Sequence, residues 1–202
     1  MEFSELPREW QGFLQACNSC KECPLHASRS QVVVYRGALS APLMIIGEGP
    51  GREEDKQGKP FVGRSGRLLD YALSALEIPE EKFHIGNIVK CRPPENRAPS
   101  EEEAKACRRL LNAQFHLVSP RVVLLAGATA AHYFTGIKEP ISKMRGKWIE
   151  SKGIYVMPTF HPAYILRNMS KRDELFADVL AARDKCVELG LMEPMKRPYR
   201  FD

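Results

Sequence analysis

Apolar residues fall into two kinds of pattern along this chain. Leu43-Met44-Ile45-Ile46 is short, continuous and ends at a glycine turn, as a strand buried on both faces does. Phe83 to Val89, Arg121 to Ala126 and Ile154 to Met157 repeat that pattern. Between these runs the apolar spacing lengthens to that of helices. Leu68, Leu69, Leu73 and Leu76 predict a helix over 66–76. Ser100 followed by Glu103 is a capping box that opens a helix to about Val118. Ala128 to Phe134 predicts a short helix after Gly127, and Lys171 to Leu189 a long one.

Strands that alternate with helices imply a parallel sheet covered on both faces. The expected fold class is α/β, a single-domain three-layer αβα sandwich around a short four-stranded parallel sheet. One domain is expected over 1–202, with a helical extension over about 1–19 and a surface tail over about 190–202. Ligands in such folds sit beyond the carboxyl ends of the strands. Gly47–Gly51, Asn87, Gly127 and Phe160–Tyr164 each end or follow a predicted strand, so they should converge on one edge.

Composition adds little: 44% hydrophobic and 27% charged residues suit a globular domain. No apolar run is long enough to span a membrane, and the first residues lack the features of a signal peptide. The expected location is the cytoplasm, where paired cysteines bind metal more often than they form disulfides. The net charge of +5 permits a polyanionic partner without demanding one. Arg29, Arg64, Arg67, Lys143, Arg145 and Arg167 flank the strand-end loops, as phosphate contacts would. A merely solvated face is the competing reading.

Four of the six cysteines form two spaced pairs: Cys20 and Cys23 as C-x₂-C, and Cys91 and Cys107 with fifteen residues between them. Four thiolates suit either zinc or an iron–sulfur cluster, and the spacing does not separate these. Two residues also separate Cys17 from Cys20, which leaves a Cys17/Cys20 pairing open.

Three segments are more specific. Gly47-Glu48-Gly49-Pro50-Gly51 with Gly58-Lys59-Pro60-Phe61-Val62-Gly63, then Asn87 to Pro94, then His161-Pro162-Ala163-Tyr164 occur in one order. Together they resemble the motifs of the family 4 uracil-DNA glycosylases, over roughly Cys20 to Val187. The resemblance implies a uracil-DNA glycosylase-like fold and base excision repair. Uracil would be flipped out of single- or double-stranded DNA and its N-glycosidic bond hydrolysed, leaving an abasic site. It implies a structural [4Fe-4S] cluster on Cys20, Cys23, Cys91 and Cys107, no nucleotide cofactor, and a monomer acting at the nucleoid.

The chemistry of that reaction assigns roles to the matching residues. A flipped base needs a π-face, which Phe61 would supply, and an amide that reads its edge, which Asn87 would supply. His161 would donate to the oxyanion that develops on the departing uracil. Gly47 and Gly49 would let the backbone approach the nucleotide. The water-positioning aspartate of the best-known uracil glycosylases is absent from the first motif. Glu48 is then the leading carboxylate, with Glu54 and Asp55 behind it. Ile165 or Leu166 could wedge into the duplex and Arg167 hold a phosphate, with inward packing as the competing reading for the two apolar residues. Lys143 and Arg145 would contact the DNA backbone.

A non-catalytic iron–sulfur or zinc module that binds DNA or nucleotides is the alternative reading, although no Walker lysine follows the glycines. A superfamily relative that becomes trapped covalently on DNA carries an Arg-Arg-Ile-His insert. Cys91 to Pro99 contains no histidine, so that form is set aside.

Overall fold

The computed structural model describes residues 9–201. Its sheet has six strands: β1 (Arg36–Gly37), β2 (Leu43–Gly47), β3 (Phe83–Asn87), β4 (Val122–Ala126), β5 (Ile149–Ser151) and β6 (Ile154–Thr159), in the order β1-β3-β2-β4-β6-β5. The four strands expected from the apolar runs are β2, β3, β4 and β6, and their pairings are parallel. The two outer strands, β1 and β5, pair antiparallel with β3 and β6. At two and three residues they are too short for alternation to show in the sequence. The β5–β6 hairpin turns at Lys152 and Gly153, both at positive φ, as a two-residue type I′ turn requires.

Side-chain alternation along the sheet divides the core in two. Met44, Ile46, Val123 and Leu125 face one way, packing with Phe13 of α1 (Trp10–Ser19), Leu110 and Leu111 of α4 (Glu101–Val118) and Ala131 of α5 (Ala128–Thr135). Leu43, Ile45, Val122 and Leu124 face the other way, with Leu69 and Leu73 of α3 (Arg64–Ala75) and Leu175 and Val179 of α8 (Arg172–Glu188). This is the expected three-layer arrangement. Three shorter helices, α2 (Arg52–Gln57), α6 (Ile141–Met144) and α7 (Pro162–Ile165), lie in the connections.

Helix ends follow their local chemistry. The capping box is complete: Ser100 Oγ accepts from the Glu103 amide at 3.2 Å, and Glu103 Oε2 accepts from the Ser100 amide at 2.8 Å. Of the extension expected over 1–19, Trp10–Ser19 is helix and the first eight residues lie outside the described ones. The segment from Gly190 lies along the surface, where Lys82 Nζ donates to the Leu191 carbonyl and the Lys196 amide donates to Glu77.

Candidate active site and thiol pocket

The loops after β2, β3 and β6 meet in a cleft of about 520 Å³, lined among others by Glu48, Gly49, Phe61, Asn87, His161 and Arg167. A larger hollow, about 890 Å³, opens at the amino-terminal end of β3 beside the tail and contains none of these side chains.

Asn87 ends β3 directly opposite Gly47 at the end of β2. The residue is 1% exposed, and its Oδ1 is a buried acceptor with no donor among the described residues. Such an atom costs free energy unless something fills the site. Gly47 makes room for it, since a Cβ there would stand 2.5 Å from Asn87 Oδ1 and 2.6 Å from Phe61 Cζ.

Phe61 is buried and held at φ +54, a conformation uncommon for a non-glycine residue. Two neighbours impose it. Glu54 Oε1 accepts from the amides of Val62 at 2.9 Å and Gly63 at 2.8 Å. Gly66 lets α3 come against this turn, because a Cβ at that position would lie 1.9 Å from the Phe61 carbonyl oxygen. The Phe61 ring stacks near His161, with centroids 5.7 Å apart and planes at 25°.

His161 caps α7, and its Nδ1 accepts from the Ala163 amide at 3.1 Å. The proton of a neutral ring therefore sits on Nε2. Burial, helped by the positive charge of Arg167 and opposed by Glu54, pushes the imidazole down to about 4. At neutral pH His161 is an uncharged donor.

Of the three candidate carboxylates, two are engaged. Glu54 holds the Phe61 turn, and Asp55 accepts from the amides of Ser30 and Gln31. Glu48 is half-buried in the cleft, and its carboxylate has no hydrogen-bond or ion-pair partner among the described residues. Gly49 lies beside it, where a Cβ would come within 2.8 Å of Val89 Cγ2.

The expected DNA contacts separate sharply. Arg167 is exposed at the cleft rim and Lys143 is exposed on α6. Leu166 is half-buried. Ile165 is 0% exposed in the α8-side core, so inward packing replaces a wedge role for it. Arg145 is turned inward: it pairs with Asp178 at 2.6 Å and Glu174 at 3.2 Å, and lies over the Phe160 ring. Those partners hold it away from a DNA backbone contact. Sequence reasoning did not pick out Ser65, Asn96 or Arg97, which also line the cleft. The only sequence signal for them was their nearness to the quoted motifs.

On the other side of Asn87 lies a second centre. Cys20, Cys23, Cys91 and Cys107 line one small hollow together with Cys17, and all are free thiols. Among the described residues no three of His, Cys, Asp and Glu gather as around a single ion. Burial pushes Cys107 up to about 11 and Cys17 up to about 12, while Lys90 opposes the shift at both. Cations surround the sulfurs: Arg29 Nη1 donates to Cys91 Sγ at 3.1 Å, Arg109 Nη2 approaches Cys20 Sγ at 4.0 Å, and Lys90 lines the hollow. Soft donors within a positive shell fit an anionic iron–sulfur cluster.

Comparison with known proteins agrees with this geometry. The family model of the uracil DNA glycosylase superfamily matches residues 34–182. A type-4 uracil-DNA glycosylase of Thermotoga maritima is 49% identical over 155 residues, 75% of this chain and 80% of its own length. Those of Sulfurisphaera tokodaii and Archaeoglobus fulgidus are 38% and 33% identical, covering 84% and 91% of this chain and 81% and 93% of their own lengths.

Proposed function

The chain belongs to the uracil DNA glycosylase superfamily, among relatives of type 4, and we propose that its cleft captures uracil flipped from DNA and hydrolyses the N-glycosidic bond. The observation that carries this reading is the buried, partnerless Oδ1 of Asn87. Uracil N3–H is a donor that would satisfy it, and the Asn87 amide NH₂ can then donate to the uracil O4. Cytosine offers an acceptor at N3 and a donor at C4, so the same amide repels it. Discrimination built on hydrogen bonds is steep, because the wrong base leaves buried groups unpaired.

The remaining groups divide the work. Phe61 gives the base a fixed face, set in place before DNA arrives by Glu54 and the close approach at Gly66. His161 Nε2–H donates to the uracil oxygen as negative charge develops there, without a proton transfer. The free carboxylate of Glu48 orients water toward C1′, where an oxocarbenium-like centre needs little base assistance. Arg167 and Lys143 contact phosphates, and the half-buried Leu166, next to Arg167, fills the gap that the flipped base leaves.

Cys20, Cys23, Cys91 and Cys107 would hold a [4Fe-4S] cluster, which when bound cross-links α1 to α4 and to the loop after β3. Its role is structural. The described residues include no helix long and apolar enough to cross a membrane. The protein acts as a monomer on DNA in the cytoplasm.

Single-turnover excision on a uracil-containing strand, with DNA binding measured separately, tests the reading. Asn87→Asp should abolish uracil removal. His161→Ala should slow it about 10²–10³-fold, as loss of an oxyanion donor does, with affinity retained. Parent-like rates in both variants would move the active site elsewhere.

A further inference from the structure

Lys90 is 1% exposed and has no carboxylate partner among the described residues. Its Nζ donates to the Asn87 carbonyl at 2.8 Å and to Gln114 Oε1. Gln114 cannot turn over. Its Nε2 donates to the Val34 carbonyl at 3.0 Å and to His84 Nε2 at 2.8 Å, while His84 Nδ1 donates to the Ala38 carbonyl at 2.6 Å. The chain of bonds thus has one direction, and it aims an acceptor at Lys90. Two of the three ammonium protons are used in this way. The side chain also lines the thiol hollow together with Cys91 and Cys107.

A buried ammonium needs negative charge close by, since neutral acceptors alone do not repay its desolvation. The thiolates that a cluster would fix line the same hollow as Lys90 and supply that charge. We infer that Lys90 is a positioning residue that joins the two centres: its ammonium is the internal counter-ion of the thiolate-held cluster, and the same ammonium anchors the carbonyl of Asn87 and so the aim of its amide. This rests on the functional reading above for the Asn87 half alone.

The test compares parent, Lys90→Met and Lys90→Arg protein, each with iron and sulfide quantified. Removing a cation beside an anionic cluster makes an added electron less welcome. Lys90→Met at full iron load should therefore show a more negative cluster reduction potential, and Lys90→Arg should restore much of the shift. Single-turnover uracil excision should fall about tenfold in Lys90→Met, the worth of one strong hydrogen bond, with DNA affinity unchanged. A fully loaded Lys90→Met protein with the parent's potential or the parent's excision rate overturns the inference. If that variant does not take up iron, the parent decides by ¹⁵N-lysine NMR. A slowly exchanging ammonium resonance with a hyperfine shift is expected, and an unshifted resonance or a neutral amine overturns the counter-ion. A parent that removes no uracil would end the functional reading, while the potential and NMR measurements would still judge the counter-ion.

Discussion

The uracil cleft and the thiol pocket sit on either side of one short stretch of chain and handle unpaired groups in opposite ways. In the cleft, Asn87 Oδ1 and the Glu48 carboxylate are left without partners among the described residues. In the thiol pocket Arg29, Arg109 and Lys90 already surround the sulfurs. One region keeps its polar capacity for a visitor, whereas the other has arranged compensation for a resident. On the proposed function, the energetic character of a site, open or compensated, separates catalysis from scaffolding within one fold.

The sharpest way to break that distinction is at a ligand. Cys107→Ala should lose iron and the docking of α1, with new protease cuts near residues 10–30, because free energy of metal binding is also free energy of folding; on the order of 10 kcal/mol is at stake in small metal-held domains. Iron content and limited proteolysis check this. An iron-free variant of parent stability would make the pocket dispensable.

Next in size is the dependence on pH. Burial pushes His161 and His84 down to about 4 from an ordinary 6.5. Between these values the unfolded chain takes up protons that the native one refuses, so stability falls as pH drops from about 6.5 to about 4 and is fully present above that window. Each ring contributes up to about 3 kcal/mol. Denaturant midpoints at pH 7 and pH 4.5 should show the loss. The excision rate of bound substrate should nonetheless stay level from pH 8 to 5, since His161 remains a neutral donor. A rate that falls with a midpoint near 6.5 would mean that the ring protonates in the cleft.

The smallest effects separate two cations that sequence alone made equivalent. Lys143→Ala should lower the log–log salt slope of duplex binding by about 0.9 with stability unchanged. Arg145→Ala should leave the slope alone and destabilise the fold by about 3–5 kcal/mol, because Asp178 is then buried without its partner. The reverse outcome would exchange their roles.

That pair shows where sequence stops being legible. Periodicity located β2, β3, β4 and β6 because burial on both faces leaves continuous apolar runs, and Ser100 with Glu103 located α4 because the two halves of the box lie only three residues apart. Asn87, Phe61 and His161 were legible as types in motif order, and the structure brings them to one cleft. A basic side chain, by contrast, carries no local mark of which way it turns. Asp178 lies 33 positions from Arg145, and the acceptors of Lys90 belong to β3 and α4. Ile165 was ambiguous for the same reason, since a four-residue helix shows no face of its own. Glu54 was read as a reserve catalyst because its true partners are backbone amides, which no sequence pattern displays.

The stretch from Asn87 to Cys91 is a ruler of four peptide steps, at most about 14 Å when fully drawn out. A residue inserted or deleted within it would turn the later side chains toward the opposite side of the chain. It would also displace Cys91 from the other thiols or Asn87 from Gly47. Loops elsewhere can lengthen or shorten as lineages diverge, but this segment has a fixed gauge. A chimera between two such chains should tolerate a junction in the 136–140 turn and fail with a length-changing one anywhere between 87 and 91.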